Sequence, residues 1–189
     1  MPENAEKSLN RFRDYLLVLA RLQIGLRLQR QMDPSDLVQQ TLLEAQAQWP
    51  AVRAQSHDQI AAWLRRILAN NLADAVRTAQ RAKRDVRREV SIHQGIEQSS
   101  VQLCNILPCK EPSPETRAQQ TERAIALTAA LAQLPEAQFD AVSLKYLRGL
   151  SLVQCAQTMG KSPAAVTGLL QRALKQLKTA MDSLSISHF

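Results

Sequence analysis

The chain is poor in the residues that mark β-sheets, disulfide frameworks and membrane spans. Glycine and aromatic residues are few among its 189 residues, and apolar residues rarely alternate as they do in strands. Three cysteines without a disulfide pattern favour a reduced, cytosolic protein. No apolar run is long enough to cross a membrane, and the N-terminus does not resemble a signal peptide.

Motifs for enzymatic chemistry are also missing from the sequence. His57, His93 and His188 are far apart and have no nucleophile motif beside them, and no phosphate-binding loop appears. Cys104 and Cys109, taken with His93, match no common zinc spacing. We therefore expect no enzyme, no cofactor and no metal site.

Positive charge is plentiful and is concentrated in two separate blocks. The chain carries a net charge of +7. Residues 61–88 contain eight basic and two acidic residues, and residues 141–189 contain six basic and one acidic. The intervening residues 89–140 contain three basic and seven acidic residues. Two basic blocks around an acidic connector indicate two footprints on one nucleic acid.

Helical spacing of apolar residues extends over nearly the whole chain and predicts an all-α fold. Asp33-Pro34 is a helix-start signal, and we expect that helix to end at Pro50. Ser56 with Gln59 is a capping-box pattern that opens a long helix into the first basic block.

The helical periodicity is lost over residues 91–113, where three prolines lie between residues 108 and 114. Such a stretch is typical of a linker. We therefore predict an N-terminal helical domain over residues 1–90, a linker over 91–114 and a second helical domain over 115–183.

The C-terminal basic block has the pattern of a helix-turn-helix. Ser151 and Gln154 form a capping-box pattern, Gly160 ends a short helix, and Ser162-Pro163 starts the next one. Because caps, glycine and apolar positions are all in register, we favour a DNA-reading motif over an ordinary helical hairpin. Five residues of the second helix are left facing mostly outward: Ala164, Thr167, Gln171, Arg172 and Lys175.

Together, these motifs resemble the bacterial RNA polymerase sigma factors of the extracytoplasmic-function group. The resemblance is carried by DPSDLVQQTLLEA from Asp33, AWLRRILANNLAD from Ala62, LPE from Leu134, YLRGLS from Tyr146, and AV from Ala165 followed by RAL from Arg172. The motifs occur in the family's order and span nearly the whole chain. The resemblance implies binding to core RNA polymerase, promoter recognition, DNA melting and transcription initiation in the cytoplasm. The resemblance also suggests an anti-sigma protein as a further partner.

The family docks the first of these helices on the clamp of the polymerase. The resemblance therefore implies polymerase contacts for Asp36, Leu37, Gln39 and Gln40. An acidic, amide and apolar face suits an interface between helices. The alternative is that Leu37 belongs to the core and that the polar residues are merely solvated.

The second motif resembles the helix that recognises the proximal promoter box and helps to open the duplex. Its arginines can hold phosphates, its Asn and Asp side chains can bond base edges, and the loop over residues 50–58 lies where the family captures a flipped base. Two alternatives stay open: Trp63 as a core residue and Asn70 as a buried structural amide. The implied DNA-binding residues are Trp63, Arg65, Arg66, Asn70, Asn71, Asp74, Arg77 and Arg81.

Two departures from the family pattern affect the DNA-binding prediction. Ile60 stands where relatives often have an aromatic residue, which removes a surface for stacking on a base. Thr167-Gly168-Leu169 replaces a step of basic residue, serine and arginine, and the glycine weakens the helix by roughly 1 kcal/mol relative to alanine. Reading of the distal promoter box then depends on Ala164, Thr167, Gln171, Arg172 and Lys175.

The predicted linker is acidic, with Glu89, Glu97, Glu111 and Glu115. In the family the corresponding segment passes through the polymerase, where acidic residues could mimic nucleic acid in a basic channel. The alternative is a plain flexible tether.

Two other classes of protein compete with this interpretation. A dimeric helix-turn-helix regulator that does not bind core polymerase needs one basic face and a two-fold interface, and the separate basic block at residues 65–88 argues against it. An adaptor made of helical hairpins leaves both basic blocks unexplained.

We predict that Arg172→Ala lowers binding to the distal promoter box, because Arg172 is one of the few cations left on the second helix of the motif. Footprinting of that box measures the effect. An unchanged footprint would remove Arg172 from the DNA interface.

Overall fold

The computed structural model describes residues 2–28, 32–79, 86–106 and 117–186. Within these ranges the chain is helical and has no β-strand, which confirms the all-α prediction. A π-helical turn (Ser143–Leu147) lies between α7 and α8. The helices are α1 (Pro2–Asn10), α2 (Arg13–Leu28), α3 (Pro34–Val52), α4 (His57–Ala79), α5 (Val86–Ile106), α6 (Arg117–Ala132), α7 (Glu136–Val142), α8 (Leu152–Met159) and α9 (Pro163–Ile186).

Helix α3 begins where the sequence predicts and ends slightly later. The Asp33 side chain caps it by accepting a hydrogen bond from the Ser35 backbone N–H at 2.8 Å. The predicted end at Pro50 is wrong, because the helix continues to Val52 and the Arg53 N–H donates to the Trp49 carbonyl at 3.0 Å. The proline in this last turn therefore does not end the helix.

Helix α4 is the long helix predicted from the capping pattern. The Ser56 backbone N–H donates to Gln59 Oε1 at 3.0 Å, which makes one of the two bonds of a capping box. The stripe of apolar residues is buried as expected, with Leu64 and Leu68 fully enclosed. Of the polar residues assigned to DNA, three are exposed (Arg66, Asn70 and Asp74) and three are half-buried (Arg65, Asn71 and Arg77).

Helix α5 occupies the first part of the predicted linker, so an irregular segment over residues 91–106 is wrong. Ile92, Ile96 and Leu103 recur at helical spacing, and Ile96 and Leu103 are each buried to 1% exposure. These few apolar residues give a weak pattern in the sequence, and contact with α2 and α4 supplies the missing stabilisation. Residues 107–114 lie outside the described residues, and the domain boundaries stay a prediction.

The helix-turn-helix has the predicted caps. Ser151 and Gln154 exchange both bonds of the capping box, at 2.8 and 3.2 Å. Gly160 ends α8 with a φ of +62°, which glycine adopts without strain. Ser162 Oγ accepts from the Ala165 N–H at 3.2 Å and so caps α9.

The two predicted domains pack against each other. Helix α6 contacts α2, α4 and α5, and buried residues of both halves form one continuous hydrophobic cluster. No helix within the described ranges is sufficiently long and apolar to span a bilayer.

We predict opposite effects for the same substitution at two glycines. Gly160→Ala lowers the free energy of unfolding by about 1 kcal/mol, because alanine is strained at positive φ. Gly168→Ala raises it by up to about 1 kcal/mol, because this glycine lies inside α9 and an added Cβ meets its nearest atom at an ordinary 3.4 Å. Urea unfolding of both variants measures the difference, and equal effects would contradict it.

Candidate nucleic-acid interface

The surface of α3 that the sequence assigns to the polymerase is polar and exposed. Asp36, Gln39 and Gln40 face solvent, and Gln40 donates to Glu44 at 2.7 Å. Leu37 differs from the prediction, because it is only 9% exposed and lies in the core. The alternative that treats Leu37 as a core residue therefore holds, and this side chain positions the helix.

A groove between α1 and α3 extends this surface. It has a cavity volume of about 280 Å³. Leu43, one turn beyond Gln39, is 56% exposed on this groove, and sequence reasoning missed it. The sequence holds no signal for this exposure, because adjacent apolar residues of α3 such as Leu37 and Val38 are both buried. The groove is lined by Glu6, Leu9, Asn10, Arg13, Gln39, Leu42, Leu43 and Gln46.

Arg65 of α4 is held by neighbouring helices rather than facing open solvent. Its side chain is 14% exposed, and its Nε donates to Glu97 Oε1 at 2.8 Å. Its Nη1 donates to the Tyr15 hydroxyl at 3.0 Å, and that hydroxyl bonds with Ser100 Oγ at 2.8 Å. Burial lowers the pKa of Arg65, but the hydrogen bonds and charges of Glu97 and Tyr15 outweigh this, so the pKa is raised overall.

The two adjacent asparagines of α4 have different environments. Asn70 is exposed, and its Oδ1 accepts a hydrogen bond from His93 Nε2 at 3.1 Å. Asn71 is half-buried and donates to the Oγ1 of the fully buried Thr41 at 3.2 Å. Thr41 in turn donates to the Leu37 carbonyl at 2.8 Å. The role of structural amide thus fits Asn71, which joins α3 to α4, and not Asn70.

The remaining residues assigned to the proximal box are spread over the length of α4. Trp63 is half-buried and packs against the core, whereas Arg66 is exposed. Asp74 and Arg77 form an ion pair at 2.8 Å. Arg81 lies outside the described residues.

The first residue of α4 is tied to the C-terminal half of the chain. His57 Nδ1 lies 2.6 Å from Glu122 Oε1, and Arg11 Nη2 donates to Glu122 Oε2 at 2.7 Å. Arg11 Nη1 lies 2.8 Å from His57 Nε2. Glu122 belongs to α6, so this cluster links the predicted base-capturing loop to the second half.

A second set of polar contacts joins α2 to α7 and to Arg148, the residue after the π-helical turn. The Arg21 guanidinium lies 3.6 Å from the centre of the Phe139 ring. Burial lowers the pKa of Arg21 despite the carboxylates of Asp140 and Glu136, and burial also raises the pKa of Asp140. Arg148 Nη2 donates to the Leu22 carbonyl at 2.6 Å.

The face of α9 assigned to the distal box is open. Ala164, Gln171, Arg172 and Lys175 are exposed, and Thr167 is half-buried and donates to the Pro163 carbonyl at 3.0 Å. The Arg172 guanidinium lies beside Gly168 on this face. On the other side, Val166, Leu170, Ala173 and Leu177 are buried and anchor the helix.

No group of His, Cys, Asp and Glu in the described part of the chain has the arrangement of a metal site. His93 instead contacts Asn70. Cys109 and the side chain of Cys104 lie outside what the structure describes.

These features define a class of protein. A helix-turn-helix with an open polar face, and a separate arginine-bearing helix in the other half, are typical of a transcription factor with two DNA footprints. Comparisons with known families agree: the family model for Sigma-70 region 2 matches residues 8–82, and that for Sigma-70 region 4 matches residues 124–177.

Similarity to a curated protein narrows the assignment from the sigma-70 family to one group within it. Over 142 aligned residues the chain is 30% identical to the extracytoplasmic-function RNA polymerase sigma factor BldN of Streptomyces coelicolor. The alignment covers 75% of this chain and 48% of the relative. The chain therefore spans about half the length of that protein. It belongs to the sigma-70 family, in its extracytoplasmic-function group, and this family is not enzymatic.

We predict that alanine substitutions at the two adjacent asparagines change the free energy of unfolding by different amounts. Asn71→Ala lowers the free energy of unfolding by about 1 kcal/mol, because it breaks the hydrogen bond to buried Thr41. Asn70→Ala changes it by less than about 0.5 kcal/mol, because Asn70 is exposed. Urea unfolding of the two variants is the measurement, and an equal loss in both would contradict the structural role given to Asn71.

Proposed function

We propose that this protein binds core RNA polymerase and directs it to promoters, where it supports DNA melting and the start of transcription. The observation that carries the proposal is that α4 and α9 carry two separate polar faces with basic residues in one chain, beside a polar and partly apolar face on α3. Family membership supports the same division of labour. The place of action is the cytoplasm, and an anti-sigma partner stays a prediction from the family.

The polymerase contact is assigned to Asp36, Gln39 and Gln40, with Leu43 as an apolar neighbour. These side chains share one exposed side of a capped helix whose opposite side is held by Leu37, Val38 and Thr41. A polar face around an exposed leucine matches the composition of protein interfaces, in which an apolar centre has a polar rim.

The promoter contacts are assigned to two helices with different tasks. On α4, Arg65, Arg66, Arg77 and Arg81 hold phosphates, while Trp63, Asn70 and Asp74 face the bases of the proximal box, with Asn71 supporting the helix beneath them. On α9, Gln171, Arg172 and Lys175, with Ala164 and Thr167, read the distal box. A rigid duplex reader and a separate reader of opened DNA fit the two steps of recognition and melting.

A reconstituted transcription assay tests the proposal. It combines the purified full chain, core bacterial RNA polymerase and a pool of genomic promoter fragments. We expect specific transcripts only when both proteins are present. If core is not bound and DNA is still retained at a discrete site, the protein is instead a helix-turn-helix regulator, and the assignment of α3 is lost.

Variants of three glutamines on α3 test the polymerase face. We predict that Gln39→Ala with Gln40→Ala weakens binding to core about threefold, as expected for truncation of polar residues at the rim of an interface. Gln48→Ala is the matched control, because this exposed glutamine lies on another side of the helix. Affinity for immobilised core is the readout, and an equal loss in the control would contradict the assigned face.

A further inference from the structure

Helices α4 and α5 run antiparallel and meet through two polar pairs. Arg65 bonds to Glu97 at 2.8 Å, and five residues further along α4, Asn70 bonds to His93 at 3.1 Å. His93 and Glu97 are four residues apart and therefore lie on one face of α5. That face meets two of the residues assigned to the proximal promoter box.

We propose that α5 is an intramolecular competitor for the proximal-box face of α4. In the free protein Glu97 bonds to Arg65 at the position where a DNA phosphate would bind. His93 likewise bonds to Asn70 where the edge of a base would bind. Promoter DNA must displace both side chains before α4 can read it. This inference rests on the proposed function, because it takes the DNA role of α4 as given.

The chemistry of the Arg65 pair suits such an exchange. A carboxylate and a phosphate both present anionic oxygens to a guanidinium, so each can replace the other as acceptor. Glu97 is 55% exposed, and ion pairs with an exposed partner are weak enough to be displaced. The 14% exposure of Arg65 means that DNA cannot engage it fully while the pair is intact.

The contact surface also explains why α5 stays in place without DNA. Ile96, which lies beside Glu97 in sequence, and Leu103 are each only 1% exposed and belong to the hydrophobic core. Tyr15 on α2 bonds to Ser100 on α5 at 2.8 Å and also accepts from Arg65. Tyr15 therefore bonds both to α5 and to Arg65, the residue for which α5 competes with DNA.

The competition is confined to one of the two DNA faces. On α9, Ala164, Gln171, Arg172 and Lys175 are exposed in the same structure. The free protein thus presents its distal-box reader while its proximal-box reader is occupied. This arrangement favours recognition of duplex DNA before capture of opened DNA.

The test measures binding of full-length protein, without polymerase, to a labelled random-sequence single-stranded DNA. We expect Glu97→Gln to bind about two- to five-fold more tightly, which corresponds to loss of one partly exposed ion pair. Glu136→Gln is the charge-matched control, since Glu136 is an exposed residue of α7 and should leave the affinity unchanged. His93→Ala is a second variant and should give a smaller gain, and circular dichroism confirms that each variant remains helical.

A double-mutant cycle distinguishes competition from a general charge effect. In an Arg65→Ala background, Glu97→Gln should give no gain, because the carboxylate acts through Arg65. A gain that persists in that background, or an equal gain for Glu136→Gln, would overturn the inference. If Arg65→Ala alone binds single-stranded DNA as the wild type does, the DNA role of Arg65 fails and the inference fails with it. The proposed sigma activity is decided separately by the transcription assay.

Discussion

Burial of helix α2 is the constraint on which the other elements depend. Seven of the ten residues from Tyr15 to Ile24 are buried, and α2 packs against α3, α4, α5 and α6. A helix with so wide an apolar face needs neighbours on several sides. Both halves of the chain supply them, and the halves therefore share one core instead of forming two independent ones.

This shared core places the functional surfaces on the outside of the helices that surround α2. Helix α3 buries Leu37 and Val38 and presents Asp36, Gln39 and Gln40. Helix α4 buries its apolar stripe and turns its polar side toward α5. The surfaces proposed for DNA and polymerase thus lie mostly on the sides of these helices that the core does not use.

Polar contacts at the edges of the core couple the two halves. Glu122 on α6 reaches Arg11 and His57, and Arg148 reaches the Leu22 carbonyl. Each pair is exposed or half-buried, so each contributes modestly and is replaceable by solvent or by another charged partner. These polar contacts therefore add little to a junction that the shared hydrophobic core holds together.

Local signals in the sequence determined the helices and the helix-turn-helix. Asp33, Ser151 and Gly160 act through hydrogen bonds and backbone angles within a few residues, so their roles can be read without knowing the fold. The family motifs likewise lie in continuous stretches, and they pointed to the sigma-70 regions that the family comparisons then found. Only the tertiary structure decided which side of each helix is buried and which neighbouring element covers it. Asn70 and Asn71 are identical in type and adjacent, yet one contacts α5 and the other Thr41. Helix α5 itself has too few apolar residues to be recognised alone, because its stability comes from contacts with residues distant in sequence.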